Sequence, residues 1–209
     1  MVRRRPFILG LTGSIAMGKS ETAGMFRRLR VPIFDADTEV HRLLGQDGLA
    51  VERVSAAFPS VTKEGAIDRP ALGKLVFANS ADLRTLEGIL HPLVGRVRKQ
   101  FLRRAGSARV SVVVVDVPLL FETGGEARCD AVVVVSAPDL VQRQRAMARG
   151  DMSLEKLESI LARQTPDSIK RRRADFVIAT GIGRRTALLA VHKVLRNISD
   201  GACSRRRFR

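Results

Sequence analysis

Short apolar runs and helical segments alternate along most of the chain. The runs lack polar alternation and are rich in Val and Ile, which is typical of parallel strands buried on both faces. Between the runs, apolar residues recur at helical spacing, as at Ala23, Phe26 and Leu29. The pattern predicts an α/β fold with a doubly wound parallel sheet. The predicted strands are Phe7–Thr12, Val31–Phe34, Ser111–Leu120, Asp130–Ser136 and Ala174–Ala179.

One long block interrupts this alternation. From about residue 38 to 104 the spacing is helical, turn signals recur, and no strongly strand-like run appears. Pro92 should kink or restart one of its helices. The block is too long for a simple crossover between strands, so we expect an inserted helical subdomain.

Bulk composition limits the function classes. The 209 residues suit one domain, and 45% hydrophobic content indicates a globular chain. No apolar run reaches the ~18 residues of a membrane span, so we expect a cytoplasmic protein without a membrane partner. The two cysteines lack metal spacing and are expected to be free thiols. We also expect a monomer. The net charge of +16 raises the possibility of nucleic-acid binding, but Trp and Tyr are absent. With no aromatic platform for bases, a polyanionic small molecule is the favoured partner and nucleic acid is not.

The stretch Gly13–Ser20 carries the clearest chemistry. It fits G-x-x-x-x-G-K-[ST], the phosphate-binding P-loop, between a buried strand and a helix. Gly13 and Gly18 are expected to take backbone angles that other residues resist. Lys19 should reach the outer phosphates of ATP, and the Ser20 hydroxyl should bind Mg²⁺. The predicted nucleotide-binding residues are Gly13, Ser14, Ile15, Ala16, Met17, Gly18, Lys19, Ser20 and Glu21.

Two acids follow the second predicted strand, at the sheet edge where ligands bind in open α/β folds. Asp35 and Asp37 are therefore candidates for a general base and for orienting a metal or substrate. The alternative is that one of them caps the next helix. Asp116, at the end of another strand, suits a carboxylate near Mg²⁺.

Several arginines fall on two predicted helices, over residues 138–149 and 153–164. In a P-loop kinase such a pair suggests a lid, here about 138–173, whose arginines stabilise the transferring phosphoryl group. Arg145 is the candidate for that role, although a solvated charged face would show the same pattern. The core would then be 1–37, 105–137 and 174–200, followed by a disordered basic tail at 201–209.

Four further segments follow the P-loop along the chain: Asp35-Ala36-Asp37, His91-Pro92-Leu93-Val94, Val117–Glu122 and Arg173–Ile178. With these segments in this order, the chain resembles the dephospho-CoA kinase family. The resemblance extends over nearly the whole chain to about Ile182.

The resemblance implies phosphorylation of the ribose 3′-hydroxyl of dephospho-CoA by Mg-ATP, on a P-loop kinase fold with a helical CoA-binding domain and a lid. By similarity Asp37 is the general base, and Asp35 supports it or helps to orient the metal. The acceptor side includes His91, for which a packed or capping role is the simpler interpretation, and Pro118-Leu119-Leu120.

The P-loop departs from the family's usual G-G-I-G-S-G-K-[ST]-T at several positions. Ser14, Ala16 and Met17 stand inside it, and Glu21 replaces a Thr close to the phosphates. Glu21 is expected either to point away along the helix or to weaken ATP binding. Adenine contacts are not assigned, because the residues after the lid helix and the last strand differ from the family's. The rival functions are another small-molecule kinase and a nucleic-acid-dependent P-loop ATPase.

Overall fold

The computed structural model describes residues 5–150 and 152–203, apart from the side chains of Phe77 and Ala78. Most of the predicted basic tail, residues 204–209, therefore lies outside the described part of the chain. The chain divides into two compact units. We call them the core unit, residues 1–34 and 105–209, and the helical unit, residues 35–104.

In the described part of the chain, the main sheet consists of β1 (Phe7–Thr12), β2 (Ile33–Asp35), β5 (Val112–Asp116), β6 (Ala131–Ser136) and β7 (Phe176–Ala179). Their order across the sheet is β2-β5-β1-β6-β7. The registers of β5, β1, β6 and β7 are parallel, with Leu9 opposite both Val114 and Ala131. The strands agree with the sequence prediction to within two residues at most ends, and β5 stops at Asp116 instead of Leu120.

Helices α1 (Lys19–Arg28) and α9 (Arg184–Ser199) cover one face of this sheet. Phe26 and Val191 are fully buried in the resulting core. On the opposite face, Gly10 lies so close to Leu120 that an added Cβ would be 2.8 Å from Leu120 Cδ2. The unbroken apolar runs are thus explained by a sheet that is covered on both faces.

Three shorter helices follow β6 in the core unit: α6 (Asp139–Met147), α7 (Leu154–Ala162) and α8 (Asp167–Arg173). Ser153 begins α7 as predicted, because its hydroxyl accepts the Lys156 N–H at 3.1 Å. Helix α8 was not predicted. It is fixed to the sheet by the Ser136 hydroxyl, which donates to Asp167 at 2.7 Å.

A buried carboxylate ties the beginning of β1 to the beginning of β6. Asp130 is fully buried, accepts the Ile8 N–H at 2.8 Å and pairs with the Arg5 guanidinium at 2.6 Å. Both oxygens of this buried carboxylate therefore have a donor, as burial of a charge requires.

The helical unit contains α2 (Ala36–Leu44), α3 (Val51–Ala57), α4 (Arg69–Ala78) and most of α5 (Ser80–Ser107). Two corrections to the sequence prediction arise here. A short antiparallel pair, β3 (Thr62–Lys63) and β4 (Ala66–Ile67), interrupts the helices. The restart alternative for Pro92 is wrong, because α5 continues through it, and the kink alternative stays a prediction. Among the described residues, every helix is too short or too polar to cross a bilayer.

Candidate nucleotide-binding site

The P-loop joins β1 to α1, and its two framing glycines are required for different reasons. Gly18 has φ 90°, in the left-handed region that glycine adopts without strain. Gly13 does not have a positive φ. Instead, a Cβ there would lie 2.4 Å from Val135 Cγ2 and 2.8 Å from Val135 O. The prediction for Gly13 is corrected accordingly, since close approach of β6 and not a special backbone angle excludes a side chain.

Lys19 is the first residue of α1 and bonds to the end of a neighbouring strand. Its Nζ lies 2.6 Å from Asp116 Oδ1, and Asp116 is only 2% exposed. Helix α1 points its N-terminus, where N–H groups lack intrahelical partners, at the same region. The pairing places a cation and a buried carboxylate together beside the P-loop.

Side chains from distant segments hold the backbone of the loop. Gln142 Nε2 donates to Ile15 O at 2.8 Å, and Gln164 Oε1 accepts the Ile15 N–H at 3.1 Å. The Thr180 hydroxyl donates to Met17 O at 2.7 Å. The N–H groups of Ile15 and Met17 are thus engaged inside the protein, the latter with Ser14 O at 3.2 Å.

The loop residues that depart from the family's pattern pack into the protein. Ala16 takes φ 60° and lies with Ala146 and Leu157 in a small apolar cluster that reaches α6 and α7. Met17 is 3% exposed, belongs to the main core, and its Sδ lies 3.1 Å from the Ala137 N–H. The side chains of Ala16 and Met17 therefore face the interior of the core unit.

A pocket of about 290 Å³ opens beside the start of α1. Arg145 forms part of its wall, with its guanidinium donating to Thr180 Oγ1 at 3.0 Å and to Thr180 O at 2.7 Å. The lining residues are Gly18, Glu21, Thr22, Met25, Arg145, Thr180, Gly183, Arg184 and Ala187.

Glu21 turns toward cations of the core unit. Its carboxylate accepts from Arg184 at 2.9 Å and lies 3.6 Å from Arg28. Because these guanidinium groups neutralise it, the acid does not present an unbalanced charge next to the P-loop. The structure thus shows Glu21 paired with two arginines, and its effect on ATP binding stays a prediction.

The loop after β5 presents only part of the predicted acceptor segment. Leu119 is 41% exposed, whereas Leu120 is 1% exposed beneath Gly10. The Thr12 hydroxyl donates to Pro118 O at 2.9 Å and fixes the start of the loop. Pro118 and Leu119 are accessible to a ligand, and Leu120 supports them from the core.

The remaining candidates belong to the helical unit. Asp35 caps α2, accepting the Thr38 N–H on Oδ1 at 3.0 Å, which confirms the capping alternative for this acid. Asp37 is exposed in the first turn of the same helix. His91 is also exposed, on α5.

A family model described as Dephospho-CoA kinase matches residues 7–183 of this chain. The chain belongs to the dephospho-CoA kinase family. It is 54% identical over 195 residues to the dephospho-CoA kinase of Rhodospirillum rubrum, covering 93% of this chain and 92% of that one.

Solved structures agree with this assignment. A Thermus thermophilus protein shares 33% identity at a TM-score of 0.84, covering 92% of this chain and 97% of that one. Dephospho-CoA kinase from Campylobacter jejuni shares 28% identity at a TM-score of 0.68, covering 93% and 98%. The protein is thus an ATP-dependent kinase, a transferase with a P-loop kinase fold.

The residues of the core unit fit a magnesium nucleotide. Among the described residues, no group of three or more His, Cys, Asp or Glu forms a metal site by itself. Mg²⁺ commonly takes one or two protein oxygens and completes its shell with phosphates and water. Ser20 in the first turn of α1 and the carboxylate of Asp116 supply oxygens of that kind.

Sequence reasoning missed three residues of this site: Gln142, Gln164 and Thr180. Gln142 and Gln164 lie on or after helices whose many charges suggested a solvated face, and Thr180 follows the last strand. The buried residues of α6 are Gln142 and Ala146, and the sequence of that helix does not distinguish the buried Gln142 from its exposed polar neighbours.

Proposed function

We propose that this protein transfers the γ-phosphoryl group of ATP to the ribose 3′-hydroxyl of 3′-dephospho-CoA, giving CoA and ADP. The observation that carries the proposal is the P-loop with Lys19 against the buried Asp116, in a chain of the dephospho-CoA kinase family. The breadth of the sequence identity favours the family's own acceptor over another small molecule.

ATP would bind with its phosphates at the N-terminus of α1. On ATP binding, the Lys19 ammonium would leave Asp116 and contact the phosphates. There it would stabilise the negative charge that develops on phosphoryl transfer. The neighbouring 290 Å³ pocket suits the adenosine part, with Arg145 and Thr180 on its wall. The Arg145 guanidinium, already fixed by two hydrogen bonds to Thr180, would then contact the nucleotide.

Mg²⁺ would be held by the Ser20 hydroxyl, near the carboxylate of Asp116. Both residues belong to the core unit. When bound, the ion neutralises charge on the phosphate oxygens. Asp35 caps α2 with Oδ1, and its carboxylate would support Asp37 or help to orient the metal.

Asp37 is proposed as the general base. It would accept the proton of the ribose 3′-hydroxyl as that oxygen bonds to the γ-phosphorus and the bond to the ADP oxygen breaks. Its exposed position in the first turn of α2 leaves the carboxylate available, unlike Asp35. Pro118, Leu119 and His91 would contact the acceptor. The role of the helical unit would be to bind the CoA portion.

The protein is proposed to act as a cytoplasmic monomer on small molecules, without a nucleic-acid partner. The basic charge suits two polyanionic substrates. A nucleic-acid-dependent ATPase would instead show ATP hydrolysis stimulated by DNA or RNA and lost steeply with salt.

The deciding experiment measures ADP release from Mg-ATP with and without dephospho-CoA, with mass spectrometry of the acceptor. The expected result is acceptor-dependent ADP release and one added phosphate on dephospho-CoA. The proposal would be rejected if dephospho-CoA left ADP release unchanged while shikimate, a nucleotide or a nucleic acid stimulated it.

A further inference from the structure

Two carbonyl groups of the P-loop are turned toward the protein by side chains from distant segments. Gln142, buried on α6, donates to Ile15 O at 2.8 Å. Thr180, 8% exposed after β7, donates its hydroxyl to Met17 O at 2.7 Å. Both bonds lie within the core unit.

A held carbonyl determines the direction of the next N–H. The chain has no cis peptide bonds in its described residues, and in a trans peptide the C=O and N–H point in opposite directions. Holding Ile15 O against Gln142 therefore directs the Ala16 N–H to the other side of the loop. Holding Met17 O against Thr180 does the same for the Gly18 N–H.

The N–H groups of Ile15 and Met17 are not directed to that side of the loop. The Ile15 N–H is donated to Gln164 Oε1, and the Met17 N–H to Ser14 O. Along the loop, N–H groups that donate within the protein thus alternate with N–H groups that are directed away from it. Such successive N–H groups form a concave site for an anion.

We propose that Gln142 and Thr180 are positioning residues for the ATP phosphates, acting through the Ile15 and Met17 carbonyls to aim the Ala16 and Gly18 N–H groups. This assignment rests on the proposed function only in taking ATP as the bound nucleotide. Neither side chain needs to touch a phosphate. Their effect is preorganisation, since the loop need not reorient its peptides when ATP binds.

The two variants that test this keep shape and remove the donor: Gln142→Met and Thr180→Val. Each leaves a buried carbonyl without its donor and lets the peptide rotate, so we expect Mg-ATP affinity by calorimetry to fall about five- to tenfold. KM for ATP should rise by a similar factor, while KM for dephospho-CoA changes little. Thr180→Ser keeps the hydroxyl and should bind Mg-ATP as wild type does, unlike Thr180→Val.

Gln144→Ala is the matched control, because Gln144 is exposed on the same helix α6. Melting of the nucleotide-free variants separates a structural role from a positioning role. The proposal would be overturned if both donor-lacking variants had a lower melting temperature but unchanged Mg-ATP affinity. It would also be overturned if Thr180→Ser bound Mg-ATP as weakly as Thr180→Val.

The two proposals fail in different ways. If the wild-type protein binds Mg-ATP but does not phosphorylate dephospho-CoA, the proposed acceptor is wrong, and the calorimetric series still decides the role of Gln142 and Thr180. If wild type phosphorylates dephospho-CoA and both variants bind Mg-ATP equally well, the positioning role alone is rejected. If wild type binds no Mg-ATP, both proposals are rejected.

Discussion

Lys170 Nζ lies 3.0 Å from the Glu122 carboxylate, and the Lys170 side chain is fully buried. Glu122 also accepts the Thr165 N–H at 2.7 Å. Burial raises the pKa of the Glu122 carboxyl, but the Thr165 N–H and the Lys170 ammonium outweigh burial, so that the pKa falls below its ordinary value of 4.5. This pair fastens α8 to the loop that follows β5.

Glu122→Gln is predicted to destabilise the protein at neutral pH by about 3 kcal/mol, since it leaves the Lys170 ammonium buried without its counter-charge. The double variant Glu122→Gln/Lys170→Met should recover most of this loss. Chemical denaturation of wild type, both single variants and the double variant measures the effect. A double variant as unstable as the sum of the single variants would contradict the coupling.

Acid should weaken this same pair. Because the folded-state pKa of Glu122 is depressed, its contribution is complete above pH 4.5 and is lost as the pH falls through the lower folded-state value. The stability difference between wild type and Glu122→Gln should therefore shrink below pH 4.5. Denaturation midpoints measured between neutral and acidic pH would show a constant difference if the pair did not titrate.

Gly13→Ala should disrupt the P-loop, because its Cβ would come within 2.8 Å of the Val135 carbonyl oxygen, which cannot move without breaking β6. We expect a loss of about 1–3 kcal/mol in stability, together with weaker ATP binding. Gly24→Ala is the control, since its Cβ would meet only Arg28 Nη1 at 3.8 Å. In the interior of α1 that change should stabilise by about 0.5–1 kcal/mol.

Lys19→Ala is predicted to weaken ATP use with any acceptor, because it removes the cation that is proposed to face the phosphates. KM for ATP should rise and turnover should fall in steady-state assays. Lys193→Ala, at an exposed position of α9, changes the net charge equally and should leave both constants unchanged. Wild-type kinetics in Lys19→Ala would contradict the P-loop assignment.

Asp37→Asn is predicted to bind ATP nearly as wild type does while turnover falls by about 10²-fold or more, the contribution of a general base. Glu39→Gln on the same helix should have little effect, since Glu39 forms an exposed pair with Arg42 at 2.9 Å. Single-turnover measurements with saturating ATP separate binding from transfer. Turnover at the wild-type level in Asp37→Asn would remove Asp37 from this role.

Local patterns predicted the sheet and the P-loop well, because both depend on contiguous residues. Unbroken apolar runs located all five strands of the main sheet, and the glycine spacing located the loop between β1 and α1. The same patterns failed for α8. Its buried contact is the charged residue Lys170, and its apolar residue Ile169 is 43% exposed, so no helical hydrophobic face marks it.

The supports of the site could not be read from the sequence for a different reason. Gln142 is 127 positions from Ile15, and Thr180 is 163 positions from Met17. Polar residues at such distances carry no local signal of what they contact. The strands β3 and β4 were missed because two residues are too few to show alternation.

The ion pair between Arg5 and Asp130 bears on how the protein is produced. Asp130 is fully buried, so a truncation or cleavage that removes Arg5 leaves one oxygen of a buried carboxylate without its guanidinium. The other oxygen still holds Ile8, where β1 begins. Purification tags should therefore be joined ahead of Arg5, and a protease site placed after it would release a less stable protein.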